Sequence, residues 1–133
     1  MKNYHFILIV AILSFIISCN NREVLDKEDN ITQYSNVTYE LYPTTNMWIF
    51  IKLDTRNGKM RLVQFSINDD DKRFETVLNN RALVSVDKEV NGRFKLQPTQ
   101  NIYTFILLDQ IEGRTWQVQW SFDEKERFVI PIN

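Results

Sequence analysis

The chain has 133 residues, with 16 Lys+Arg against 17 Asp+Glu and a formal charge of −1. That length holds one ordinary domain plus a leader, and the charge balance leaves no basic surface of the extent that nucleic-acid binding requires. Hydrophobic residues at 44% and charged residues at 25% give a globular rather than disordered composition, and the scarce residues, one Cys and one His, set narrow limits on its chemistry.

Residues 1–18 read as a lipoprotein signal peptide, expected to be helical. Lys2 supplies the early positive charge, and Phe6–Ile17 is an apolar run of 12 residues interrupted only by Ser14. A membrane-spanning helix needs roughly 20 such residues, so the run is too short to cross a bilayer. It closes on Ile16-Ile17-Ser18-Cys19, which resembles a bacterial lipobox: aliphatic residues, a small residue before the cut, then the cysteine that carries the lipid. Cys19 is the only cysteine and is therefore the expected lipidation site. Several acyl chains anchor stably where one would not. Asn20 follows, not the aspartate that resembles an inner-membrane retention signal in enterobacterial lipoproteins, so the expected location is the outer membrane of a bacterial cell envelope.

Cleavage would discard His5 and lipidation would occupy Cys19. Residues 20–133 then hold no histidine and no free thiol. Ser-His-Asp and Cys-His catalysis, His- or Cys-ligated zinc and disulfides are excluded on residue type alone. No cofactor is expected. Residues 19–36 are polar and without apolar periodicity, as a solvated tether would be.

The β-domain, residues 37–133, is an internal duplication. Residues 39–67 align without gaps on 94–122 at a constant offset of 55, with twelve of the 29 positions identical, among them Leu41/Leu96, Pro43/Pro98, Asn46/Asn101, Leu53/Leu108, Asp54/Asp109 and Gly58/Gly113. After a one-residue deletion Arg73-Phe74 matches Arg127-Phe128. Repeat 1 covers about 37–79, a connection 80–92, and repeat 2 about 93–133.

Each repeat predicts a β-meander. A short strand (37–42; 93–97) ends at Pro-Thr-x-Asn, where Pro stops the ladder and Asn favours a turn. A long strand (47–54; 102–109) is apolar on both faces, which predicts a central, doubly covered position. Asp-x-x-x-Gly then makes a hairpin loop with Gly58 or Gly113 free to take positive φ. The third strand of repeat 2 alternates, with Trp116, Val118, Trp120 and Phe122 on one face and Thr115, Gln117, Gln119 and Ser121 on the other. An acidic turn leads to a fourth strand (73–78; 127–132), and residues 81–87 predict one more strand in the connection. The fold expected is all-β: two tandem antiparallel meanders related by pseudo-symmetry, packed as a small sandwich or barrel-like domain. Phe50, Phe65, Phe105, Val118 and Trp120 are its expected shared core.

Three stretches together, Gly92-Arg93-Phe94-Lys95-Leu96-Gln97-Pro98-Thr99-Gln100-Asn101, Phe105-Ile106-Leu107-Leu108-Asp109 and Gly113-Arg114-Thr115-Trp116-Gln117-Val118-Gln119-Trp120, resemble a family of small lipoproteins from Bacteroidetes. The resemblance covers residues 39–133 and implies the lipid anchor and the fold, but no activity. Repeat 1 departs from the pattern, with Arg61-Leu62 where repeat 2 has Trp116-Gln117.

Four groups are candidate sites. Asp54 and Asp109 could form a carboxylate dyad, but an Asp opening a Gly-closed hairpin is ordinary turn chemistry, which is the reading preferred. Trp48, Tyr103, Trp116, Gln117 and Gln119, with Gln64, Asn46 and Asn101, could form a glycan or peptide surface, since rings cover sugar C–H faces and amides address hydroxyls. The same residues would equally supply an aromatic core and a polar outer face. Asp69-Asp70-Asp71 lacks EF-hand spacing and reads as a solvated turn rather than a metal site. The charges at 114 and 125–127 read as surface or edge-strand protection. The function expected is a non-enzymatic binding or structural module, anchored to the membrane through Cys19, with a glycan or an envelope protein as partner. Assembly through edge strands and a small carboxylate-dependent hydrolase are the alternatives.

Overall fold

The computed structural model describes residues 37–133; the signal peptide, Cys19 and the whole of the tether lie outside the described residues. Eight strands form two separate four-stranded antiparallel sheets, each in sequence order. The first holds β1 (Tyr39–Pro43), β2 (Ile49–Asp54), β3 (Met60–Gln64) and β4 (Phe74–Asn79); the second holds β5 (Phe94–Pro98), β6 (Thr104–Asp109), β7 (Thr115–Gln119) and β8 (Phe128–Ile132). The sheets stack on one shared core and do not close into a barrel. The repeat carries into the pairing: Tyr39 opposes Asp54 as Phe94 opposes Asp109, and Pro43 opposes Phe50 as Pro98 opposes Phe105.

The turns repeat because their chemistry does. In Pro-Thr-x-Asn the threonine hydroxyl donates to the carbonyl five residues on, Thr44 to Ile49 at 2.9 Å and Thr99 to Thr104 at 2.8 Å. The asparagine carboxamide oxygen accepts the amide N–H two residues on, from Trp48 at 2.9 Å and Tyr103 at 3.0 Å. The carboxamide oxygens of Asn46 and Asn101 are therefore committed to shaping turns. In Asp-x-x-x-Gly the glycine amide donates to the aspartate carbonyl at 3.0 Å and 2.9 Å, and Gly58 and Gly113 sit at φ +78° and +70°. The acidic turns are single 3₁₀ turns, Asp70–Lys72 and Glu124–Glu126, capped by the carboxylates of Asp69 and Asp123.

The packing breaks the symmetry that the sequence repeat suggests. The first sheet buries Ile49, Ile51, Leu53, Met60 and Leu62. The second buries Phe94, Leu96, Phe105, Leu107, Trp116, Val118 and Trp120. At the offset of 55, Ile51, Leu53 and Leu62 correspond to Ile106, Leu108 and Gln117, which point away from the second sheet's buried face. The two copies thus bury opposite faces of the same repeat. The expected core of equivalent aromatics holds for Phe105, Val118 and Trp120 and fails in repeat 1, where Phe50 is half-buried and Phe65 is 41% exposed against 2% for its partner Trp120. The cause is charge: Lys52, Arg61 and Glu75 occupy the places of Leu107, Trp116 and Val129, and stacking that face on a dry core would strand them away from water.

Two further expectations are corrected. The long strands are covered on one face only, since Lys52, Ile106 and Leu108 keep solvent contact. Residues 81–87 form no strand; they run as loop into the 3₁₀ turn Val86–Lys88, tied to the first hairpin loop by Leu83 N–H to Asn57 O at 2.8 Å, while Leu83 and Val84 pack against the core. An apolar pair with no strand to ladder on still fills the core.

Candidate functional site

The five sequence-derived site residues are not brought together. Trp116 is buried in the core beside Phe94, ring centroids 5.9 Å apart. Gln117 and Gln119 project from the opposite face of the same strand, and the Gln119 amide donates to Glu126 O at 3.1 Å. Tyr103 packs its ring on Trp120 at 5.5 Å at the end of the second sheet, half exposed. Trp48 stands on the first sheet.

Around Trp48 the first sheet opens a cleft of about 500 Å³ between the end of β3 and the acidic turn. Trp48 and Phe65 form its aromatic wall, their centroids 5.2 Å apart and tilted by 59°, with Phe50 behind Phe65 at 6.1 Å. Gln64, Ser66, Asn68, Asp69 and Lys72 supply the polar rim. Trp48 is positioned by its amide bond to Asn46 and by its carbonyl, which accepts from Phe65 N–H at 3.1 Å. Lys72 pairs with Asp69 at 3.2 Å, so the rim carries both signs of charge without a large net field. Rings beside amide, hydroxyl and carboxylate groups suit a ligand with one apolar face and a fringe of hydroxyls, and the volume lies in the range of small-molecule sites. Trp48 and Gln64 were legible as ligand candidates. Phe65, Ser66, Asn68, Asp69 and Lys72 were missed; a signal existed in Trp48 and Phe65 being repeat partners of an aromatic pair, Tyr103 and Trp120.

The repeat-related aspartates do not make a dyad. The Asp54 carboxylate accepts from Arg56 through Nε at 3.0 Å and Nη2 at 2.7 Å, and from the Arg56 amide at 3.0 Å. Asp109 is buried and accepts from Arg93 at 3.0 and 2.8 Å, from the amides of Ile111 and Glu112, and from Arg114 at 3.1 Å. Burial pushes both carboxyls up, but the arginines and loop amides outweigh it; Asp54 lies below its ordinary value and Asp109 at about 2. A proton-sharing pair needs one member raised. These two are ionised struts of the hairpin loops.

Arg114 and Arg127 are not merely surface charges. Arg114 lies 5.2 Å above the Trp116 ring as well as reaching Asp109. Arg127 joins the sheets, donating to Val77 O at 2.8 Å and Thr76 Oγ1 at 3.2 Å while holding Ser121 O at 2.8 Å. In the acidic turn Asp69 caps the 3₁₀ turn, accepting from the Asp71 amide, and Asp70 pairs with Arg73. Among the described residues no group of three His, Cys, Asp or Glu side chains is arranged to hold a metal ion. Comparison with protein-family models, with curated proteins and with solved structures finds no match to this chain.

Proposed function

We propose that the protein is a non-enzymatic module, held at the outer membrane of a bacterial envelope by lipid on Cys19, that binds a glycan in the cleft walled by Trp48 and Phe65. The observation that carries this reading is the Trp48–Phe65 pair itself: Phe65 stands open beside Gln64 and Asn68, whereas its repeat partner Trp120 is packed away. A sugar ring laid on the indole would bury C–H surface, and the rim would take its hydroxyls. The lipobox, the tether length and the missing histidine support display rather than catalysis.

Titration of the full-length lipoprotein, in detergent, with envelope oligosaccharides tests the reading through indole fluorescence. Trp48→Ala should abolish the response and Gln64→Ala should weaken it. An unchanged response in Trp48→Ala, or no response to any glycan of the envelope, would overturn it.

A further inference from the structure

Two pairs of identical residues at equivalent repeat positions have reciprocal environments. Leu41 is 59% exposed and its partner Leu96 1%; Leu53 is fully buried and its partner Leu108 is 38% exposed. Leu41 opposes Lys52 across the first sheet, so it lies on the Lys52 face, while Leu53 lies on the Ile51 face. The joint inside the chain is therefore made of unlike surfaces: the Ile51 face of the first sheet meets the Leu107 face of the second. Among the described residues, what remains free is the Lys52 face of the first sheet and the Ile106 face of the second. These are the repeat equivalents of the two surfaces already packed. A joint between unlike faces does not consume its own ends; each sheet added leaves one face of each kind.

We propose that the chain stacks on further copies of itself, the Lys52 face of one first sheet against the Ile106 face of the next copy's second sheet, continuing head to tail the packing that joins its own two sheets. The inference goes beyond the glycan reading and does not depend on it. Both free faces keep apolar side chains: Tyr39, Leu41 and Phe65 on one, Leu108, Ile130 and Ile132 on the other, all exposed. Their polar centres are compatible. On the first sheet Glu75 pairs with Arg61 at 3.0 Å and with Lys52, which leaves one positive charge in excess. On the second the corresponding strands present Thr115 and Gln117, whose oxygens can accept hydrogen bonds from Lys52 and Arg61, with Lys95 on the edge strand β5 beside Leu108. Such a joint is wetter than the internal one and fits reversible association. The stack would cover Phe65, as the internal joint covers its repeat partner Trp120, and would leave Trp48 open, as Tyr103, the repeat partner of Trp48, stays half exposed beside the internal joint.

The test is sedimentation of the full chain in detergent, from micromolar to high micromolar concentration, beside Leu41→Glu and Leu108→Glu. Each variant changes one exposed side chain outside the cleft, circular dichroism checks its fold, and the lipid is common to all samples. The unmodified chain should reach at least twice the protomer mass. Each variant alone should stay a monomer, and an equimolar mixture should recover a one-to-one pair, because each retains the face the other lacks. A monomeric unmodified chain would overturn the proposal and mark the polar centres as end caps of a stack of two sheets. Assembly disrupted by only one variant (like face on like face), by neither (edge pairing), or not recovered on mixing would overturn it as well. Glycan titration of the two variants, in which Phe65 stays uncovered, reads the cleft apart from the stack, so failure of either reading is distinguishable from failure of the other.

Discussion

Arg93, at the entrance to β5, grips Asp109, at the end of β6, through two hydrogen bonds of 3.0 and 2.8 Å, with both side chains buried. The pair closes the second sheet at the point where the connection from the first sheet enters it. Arg93 also reaches Lys88 O at 2.9 Å and Glu112 at 3.0 Å, so one guanidinium ties the connection, the strand and the hairpin loop together. Repeat 1 has Thr38 in the place of Arg93 and serves Asp54 with Arg56 from the loop instead.

The pair gives the protein an acid limit. The Asp109 carboxyl lies at about 2 against an ordinary 3.8, a depressed value, so its contribution is complete above the ordinary value and is lost as pH falls towards about 2. Urea midpoints measured from neutral pH downward should fall most steeply between about pH 4 and pH 2. Asp109→Asn should flatten that limb and cost up to about 3 kcal/mol at neutral pH, because the buried Arg93 loses its bidentate partner and keeps only the part-exposed Glu112. An acid limb of unchanged steepness in the variant would contradict this role.

The two loop glycines separate conformation from packing. Alanine at either meets the left-handed backbone penalty of roughly 1–2 kcal/mol. At Gly113 an added Cβ has nothing within 4 Å, whereas at Gly58 it would stand 2.8 Å from Leu83 Cδ1 and displace that side chain from the core. Thermal unfolding should therefore show Gly58→Ala below Gly113→Ala. Equal melting temperatures would mean that Leu83 does not pack on the loop.

Aromatic truncation reads the asymmetry of the sheets. Trp120→Ala and Phe105→Ala should each cost about 3–5 kcal/mol in chemical denaturation, since both rings are buried and the Trp120 indole N–H is satisfied by Ile102 O at 3.1 Å. Phe65→Ala should cost about 1 kcal/mol, the value of a partly exposed ring pair. A large loss at Phe65 would place it in the core after all.

The anchor is tested by fractionation. Cys19→Ala should leave the chain unlipidated and move it from the membrane pellet to the soluble fraction. Retention of the variant in the pellet would refute lipidation at that thiol.

Local chemistry made most of the fold readable. The Pro-Thr-x-Asn and Asp-x-x-x-Gly turns act through bonds within five residues, so their outcome was written in the repeat itself. Which face its sheet buries was not readable from β6, because Ile106-Leu107-Leu108 offer apolar side chains to both sides and a period of two cannot choose between them, whereas in β2 Lys52 marks the solvent face against Ile49, Ile51 and Leu53. The third strand agrees with Lys52, since Arg61-Leu62 replaces Trp116-Gln117 there. That exchange inverts the polar and apolar faces, and it was visible; extending the alternation of β7 to β3 by symmetry concealed it. Leu83 and Val84 misled in another way, since an apolar run that fills a core without a partner strand has the same composition as one that ladders. The cleft was half readable, because Trp48 and Gln64 carry recognisable ligand chemistry while Asn68, Asp69 and Lys72 join them only through the return of the acidic turn.

The most direct test of the central claim, that the two copies of one repeat bury opposite faces, is a set of four leucine truncations read by urea denaturation. Leu53→Ala and Leu96→Ala should each cost about 2–5 kcal/mol, while Leu41→Ala and Leu108→Ala, identical residues at the equivalent positions, should each cost within about 1 kcal/mol. Matching losses within the pair Leu41 and Leu96, or within the pair Leu53 and Leu108, would show that the copies bury the same face and would contradict the account.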